Sequence, residues 1–370
     1  MRGWTFSLTV LLVFSGVAQG GLYNPAEPGE GALNPDDFEI FKETLFFLRS
    51  IRMEKVLNDN PLRMRYVMMQ QSAPRVVPRD WSVAQRISLS AYLIRREKFQ
   101  EAIEVLKRLS RKEGDNFLVH SNLSTAYHLL GQEPGLAYDA LDQALSVWPA
   151  KWSGLEKNMQ QFLSQMGWDE IKFRHFREAE TYQLKLLKLR RQEKPKGQPE
   201  NLDDLFGITF VGESGGYEAG KLAAKEMDKL PTRALAIVQQ LLVWSPNDPR
   251  LYWLLGEIYN ARGDVATALR IFKSPELTGG DAIGFPFVPG FRVPLLGEHV
   301  RILEKAPPSE TKEPEPKSQP PPGPNSSNPG FLDVRTLLVG FFVGIAVSIF
   351  AYWQFREIRR RRQQRPSGRA

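Results

Sequence analysis

Gly212-Glu213-Ser214-Gly215-Gly216 has the G-x-S-x-G spacing with which a sharp strand-to-helix turn lifts a nucleophilic serine above a sheet. An apolar stretch, Ile208-Thr209-Phe210-Val211, precedes it and a helix-like segment follows. Hydrolysis at Ser214 would need a downstream acid and a histidine, and His299 is the only histidine beyond it, in a Gly/Pro-rich segment. The elbow also needs a parallel sheet, of which no other strand is visible. Glycine punctuation of an ordinary turn explains the motif with fewer requirements. A serine hydrolase built on Ser214 is kept only as a distant alternative to a non-enzymatic protein.

Metal chemistry is poorly supplied. The histidines are His120, His128, His175 and His299, and there is no cysteine. His120 and His128 stand eight residues apart and could share a helical face. Neither belongs to an H-E-x-x-H pattern, and no third ligand lies nearby, so they read as ordinary polar or core histidines. The missing cysteine also excludes thiol catalysis, a Cys-based zinc site and a lipoprotein-type anchor. No catalytic, cofactor-binding or metal-ligating residue is assigned, and no cofactor is expected.

The chain of 370 residues carries a formal charge of +7. Arg356–Ala370 holds seven Arg and one Glu, and Arg2 supplies one further positive charge, so everything between sums to zero. The basic balance belongs to a tail and not to a folded surface, which argues against a nucleic-acid partner.

Both ends look like membrane-targeting elements. Arg2, the apolar stretch Thr5–Val17 and the small residues Gly16, Ala18 and Gly20 form the three-part pattern of a secretory signal, placed at residues 1–20. Thr336–Phe355 is an uninterrupted apolar run of spanning length, with Tyr352 and Trp353 at its edge and Arg356 beyond. The aromatic edge and the arginines predict a transmembrane helix over 336–355, a cytoplasmic tail over 356–370 and an extracytoplasmic bulk. The compact signal and the missing cysteines favour a bacterial periplasm. Gly340 and Gly344 form a small-xxx-small pair that would let two such helices dimerise. Residues 306–330, rich in Pro, Ser, Glu and Lys, read as an extended stalk reaching about 70 Å at ~3.1 Å per residue.

The elements between these ends are helical in pattern. Asn34-Pro35-Asp36-Asp37 is a helix start, and Phe38, Phe41, Leu45 and Leu48 continue it as an apolar stripe. Further on a longer period emerges. Tyr252, Leu255-Gly256, Tyr259, Gly263, Ala268 and Phe272 fall in order, and Ala234 stands 34 residues before Ala268. Leu89-Ser90, Leu93, Ala102 and Leu106 repeat as Leu123-Ser124, Tyr127, Ala137 and Leu141; the interval from Ala102 to Ala137 is 35, and the extra residue falls near Gly131 and Pro134. Met166-Gly167 with Ala179 is a weaker fifth match.

This recurrence resembles the tetratricopeptide repeat over about residues 81–272, with gaps. The resemblance implies helical hairpins stacked into a solenoid: small residues at the close crossings, large ones in the seams, and a concave face that binds proteins. The fold class expected is therefore all-α, a TPR-like solenoid plus one C-terminal transmembrane helix. Pro275 departs from the pattern where Ala is usual, and Glu170 and Gln183 occupy normally apolar positions. Arg190–Leu205, with Pro195, Gly197 and Pro199, reads as a loop that divides an N-terminal half (34–190) from a C-terminal half (206–278).

Remaining features have mainly structural readings. Trp148, Trp152, Trp168, Trp244 and Trp253 are expected in helix packing, with one or two in a groove. The segment over 279–305 opens with Gly279–Gly297, where Phe285, Phe287, Val288, Phe291, Val293 and Leu295 alternate with Gly and Pro. That stretch is read as a non-helical cap, or alternatively as a docking surface. Sequons occur at Asn122 and Asn325, of which only the one on the stalk is accessible.

Together these readings predict a membrane-tethered, extracytoplasmic scaffold that binds a protein or peptide through a groove. Side chains near Asn122 or Asn260 are expected to face it. The alternative is a self-associating envelope component joined through Gly340 and Gly344.

Overall fold

Residues 22–23, 38–50, 81–131, 134–193, 201–274 and 293–306 are described by a computed structural model, and all regular structure among them is helical, without a strand. The order is α1 (Phe38–Ser50), α2 (Val83–Arg95), α3 (Phe99–Ser110), α4 (Phe117–Leu130), α5 (Pro134–Val147), α6 (Lys157–Gln165), α7 (Glu170–Gln192), α8 (Ala224–Met227), α9 (Ala234–Trp244), α10 (Pro249–Ala261), α11 (Val265–Phe272) and α12 (Pro294–Glu304). A 3-10 turn at Trp152–Gly154 stands between α5 and α6. No helix among the described residues is long and apolar enough to cross a membrane. The signal over 1–20, the helix start at Asn34–Asp37, Pro195, Gly197, Pro199, Pro275, the stalk from 307, Asn325, the run 336–355 with Gly340 and Gly344, and the tail 356–370 lie outside the described residues.

Helices begin where short polar side chains satisfy the first free backbone N–H groups. Ser82 and Gln85 cap α2 reciprocally: Gln85 N–H donates to the Ser82 hydroxyl at 3.2 Å, and Ser82 N–H to Gln85 Oε1 at 2.8 Å. Asn116 caps α4, Asp169 caps α7, and Asp264 caps α11. Asp248 caps α10 with Pro249 at the first helical position, where a missing N–H costs nothing. Gly131 ends α4 with φ 71°, a left-handed turn that a Cβ would strain.

Successive helices then pack as neighbours. The contacts run α2 on α3, α3 on α4, α4 on α5 and α5 on α7, then α7 on α9, α9 on α10, α10 on α11 and α11 on α12. The small residues sit at the crossings. Ala102, Ala137, Ala179, Ala234 and Ala268 are all buried. Ser124 of α4 donates its hydroxyl to the Ala137 carbonyl of α5 at 2.7 Å. Helix α4 is apolar nearly all round and is buried without a break from Phe117 to Tyr127, as such a helix must be.

Gly256 on α10 shows why a crossing needs a small residue. A Cβ built there would stand 2.1 Å from the Phe272 ring of α11, which is itself buried. Alanine favours a helix over glycine by ~1 kcal/mol. Overpacking outweighs that gain, so Gly256→Ala is expected to lower stability by about 1–3 kcal/mol in urea unfolding. Phe272→Leu in the same chain should recover part of the loss, because it removes the atoms that clash.

Two sequence expectations need correction. Arg190–Leu205 is not a loop from its first residue: α7 continues to Gln192, and Arg190 and Asp203 are pinned by ion pairs described below. Gly279–Gly297 is not wholly non-helical, because Pro294 starts α12 with its ring at the first helical position. Residues 279–292 lie outside the described residues. Gln183, polar where an apolar residue was expected, is buried nonetheless, whereas Glu170 is exposed in the first turn of α7.

Candidate functional site

A buried side-chain amide must be hydrogen-bonded or it costs several kcal/mol. Asn122 lies in the middle of α4, fully buried, and its partner is not in a neighbouring helix. Its Oδ1 accepts from the backbone N–H of Tyr23 at 2.7 Å, and its Nδ2 donates to the Tyr23 carbonyl at 3.4 Å. One amide thus holds both polar groups of a residue 99 positions away, outside every described helix. Recognition of this kind reads the backbone of an irregular segment and leaves its side chains free to be read by others.

The Tyr23 side chain enters an aromatic box. Its ring meets Trp148 at 6.0 Å between centroids and 70°, Trp168 at 5.3 Å and 57°, and Phe176 at 6.2 Å and 78°. These edge-on and tilted contacts suit aromatic quadrupoles better than flat stacking. Trp148 is in turn stacked on Phe117 at 4.1 Å, so the wall has little freedom. At the end of the box the Tyr23 hydroxyl donates to Glu180 Oε1 on α7 at 2.8 Å. Burial pushes the Glu180 carboxyl up to about 7, partly opposed by the hydrogen bond from Tyr23. Leu22 beside it is also fully buried. Asn122 on α4, the tryptophans that follow α5 and precede α7, and Phe176 and Glu180 on α7 therefore converge on one dipeptide.

A second asparagine holds backbone in a related way. On α10, Asn260 accepts from Gly220 N–H at 2.7 Å and donates to the Glu218 carbonyl at 3.0 Å. Tyr217 in the same segment lies flat on His299 of α12, 3.6 Å between centroids and 4° from parallel. Burial, with Glu257 nearby, raises the Tyr217 phenol far above its ordinary range. Glu257 is fully buried and accepts from Trp253 Nε1 at 2.8 Å, while its other contact is His299 Nδ1 at 2.6 Å.

The hydrolase motif dissolves in this setting. Gly212 N–H donates to the Gly216 carbonyl across a tight turn in which Gly215 has φ 83°. The Ser214 hydroxyl, exposed, donates to Glu218 at 2.7 Å. His299 is held by Glu257 and Tyr217, and Ile208–Val211 forms no strand. The other histidines do not converge either. His120 Nε2 faces the Gly114 carbonyl at 2.8 Å. His128 is lowered to about 4 by burial and by the Arg190 guanidinium. His175 is lowered to about 4 by burial, with Arg233 adding to it. Among the described residues no three His, Cys, Asp or Glu are placed to hold a metal ion.

Sequence reasoning had pointed to Asn122 and Asn260 as groove residues but not to what they hold. Tyr23 and Glu180 were missed. Glu180 carries a usable signal, an acid next to the buried Ala179 on the inner side of α7, whereas nothing local marks Tyr23. An ion-pair clasp was missed as well. Arg190 pairs with Asp203 at 2.9 Å and with Asp248, and Arg250 pairs with Asp203 and, at 2.5 Å, with Glu193. Burial would lift the Asp248 carboxyl, but Arg190 overrides it and holds the acid below its usual range.

Comparison with family models, with curated proteins and with solved structures finds no match for this chain.

Proposed function

We propose that this protein is a non-enzymatic scaffold, a helical array of the tetratricopeptide kind that holds an extended segment of a partner protein on the outer side of a membrane. The observation that carries the reading is the two-point grip of Asn122 on the Tyr23 backbone, far away in sequence and outside every described helix. A buried amide that satisfies both backbone groups of a residue outside the helices is the arrangement a peptide-reading helix would use. The packing of neighbours from α2 to α5 and again from α9 to α12 supports a repeat array, and the buried pairs Ala102/Ala137 and Ala234/Ala268, 35 and 34 residues apart, fit its period. The membrane tether rests on the apolar run at 336–355 and on the arginines after it.

The test is affinity capture of the intact chain from membranes in mild detergent, followed by mass spectrometry, beside Asn122→Leu and a chain lacking residues 81–272. A discrete partner is expected with the intact chain. It should fall at least ten-fold with Asn122→Leu, whose folding is checked by circular dichroism, and vanish without the array. Recovery of the bait alone would overturn the scaffold in favour of self-association, which Gly340→Leu with Gly344→Leu would then abolish.

A further inference from the structure

We propose that the aromatic box of Trp148, Trp168 and Phe176, flanked by Asn122 and Glu180, reads tyrosine in an aliphatic–tyrosine segment of a partner protein, and that Leu22–Tyr23 is its resident competitor in cis. The inference rests on the scaffold reading and adds the chemistry of the ligand.

Three features select that chemistry. Asn122 grips the backbone N–H and C=O of one residue, which any extended peptide can offer. The box of Trp148, Trp168 and Phe176 takes a flat ring. Glu180, fully buried, then requires a donor at the far end of that ring, which a tyrosine hydroxyl supplies at 2.8 Å. Phenylalanine would fill the box and leave a buried carboxyl without its donor, and sites built around a substrate hydroxyl reject the analogue lacking it. Phosphotyrosine is excluded by the same acid, because its phosphate would stand against a carboxyl group inside a closed box.

The box also has hydrogen-bonding capacity that Leu22–Tyr23 leaves unused. The indole N–H groups of Trp148 and Trp168 are buried and have no acceptor, and both rings touch Tyr23. A buried donor without an acceptor costs ~1–3 kcal/mol and calls for an explanation. A partner segment that brings a carbonyl or carboxylate oxygen to either indole would bind better than the resident one. Leu22 and Tyr23 themselves belong to no helix among the described residues.

The experiment uses the full chain in mild detergent and a labelled decapeptide copying residues 21–30, made with Tyr, Phe or phosphotyrosine at the third position. Tyr23→Ala vacates the box. That chain is expected to bind the Tyr peptide with a micromolar Kd, the Phe peptide at least ten-fold more weakly, and the phosphotyrosine peptide not at all. The wild-type chain should bind the Tyr peptide at least ten-fold more weakly, because its own segment competes. With Glu180→Leu added to Tyr23→Ala, the preference for Tyr over Phe should disappear. Should Tyr23→Ala fail to fold, a wild-type chain with a protease site inserted between Asn24 and Asp37 takes its place, since cutting it makes the resident segment exchangeable. Equal binding of Tyr and Phe peptides would overturn the tyrosine reading. No binding to either folded protein would make Leu22–Tyr23 a permanent part of the core. A wild-type dimer that Tyr23→Ala dissolves would reassign the occupant to a second copy. None of these results touches the capture experiment, so the scaffold reading and the ligand class can fail separately.

Discussion

Asp203→Ala is expected to lower the stability of the helical domain by about 3–5 kcal/mol, read as the shift in urea unfolding. The Asp203 side chain is fully buried and accepts from two guanidinium groups, Arg190 at the end of α7 and Arg250 at the start of α10. Both arginines are themselves mostly buried. Removing the shared acid leaves two cations in a poorly solvated place, Arg190 with Asp248 and Arg250 with the half-exposed Glu193. The cost is that of the stranded charges and exceeds what the ion pairs gave in net terms. Asp203→Asn keeps the shape and one acceptor but not the charge, so a smaller loss is expected. Asp203→Ala combined with Arg190→Met and Arg250→Met should recover much of the loss, since apolar replacement of a whole buried network is often neutral. Failure of the triple replacement to recover stability would mean that the clasp orients α7 and α10 in a way packing cannot replace. Added salt should change the wild-type value little, because buried pairs are weakly screened.

Glu180→Gln should make the domain more stable above pH 7 by roughly 3 kcal/mol, and leave it almost unchanged near pH 4.5. The sign follows from the protons bound. Burial raises the Glu180 carboxyl from 4.5 to about 7 in the folded state. Between those values the folded chain binds the proton that the unfolded chain has released. Stability associated with this group is therefore complete below 4.5 and is lost as pH rises through about 7. At ~1.4 kcal/mol per unit the difference comes to roughly 3 kcal/mol. Glutamine keeps an acceptor for the Tyr23 hydroxyl and has no charge to bury. His128 and His175 act in the opposite sense, because both are lowered from 6.5 to about 4 and their contribution is lost as pH falls through that window. They are common to both chains, so the difference between wild type and Glu180→Gln isolates the acid. A difference independent of pH from 5 to 8 would place Glu180 in contact with water and remove it from the box.

The helical pattern was legible because it is written in local chemistry. Ala102 and Ala137 stand 35 apart and Ala234 and Ala268 stand 34 apart, and all four are buried. Caps at Asp248-Pro249 and Asp264, and the left-handed Gly131, are short-range decisions that a few residues make alone. The serine motif was legible for the same reason, and its glycines specify a turn whether or not chemistry follows. The sequence pointed to the neighbourhood of Asn122 and Asn260, but neither the face they lie on nor their partners could be read from it. Tyr23 lies 99 residues from Asn122 and 157 from Glu180, a separation that no local spacing encodes.

The sequence by itself determined that the described elements are helices, where several of them start and stop, and which small residues their crossings require. It also carries the charge pattern of the ends, which lie outside the described residues. Only the tertiary structure decided that a buried asparagine grips a distant backbone, that Glu180 faces a phenol, and that Asp203 is shared by two arginines. The physical reason is range. Propensity and capping act over one helical turn, whereas a buried polar group takes its partner from whatever the completed packing brings within about 3 Å.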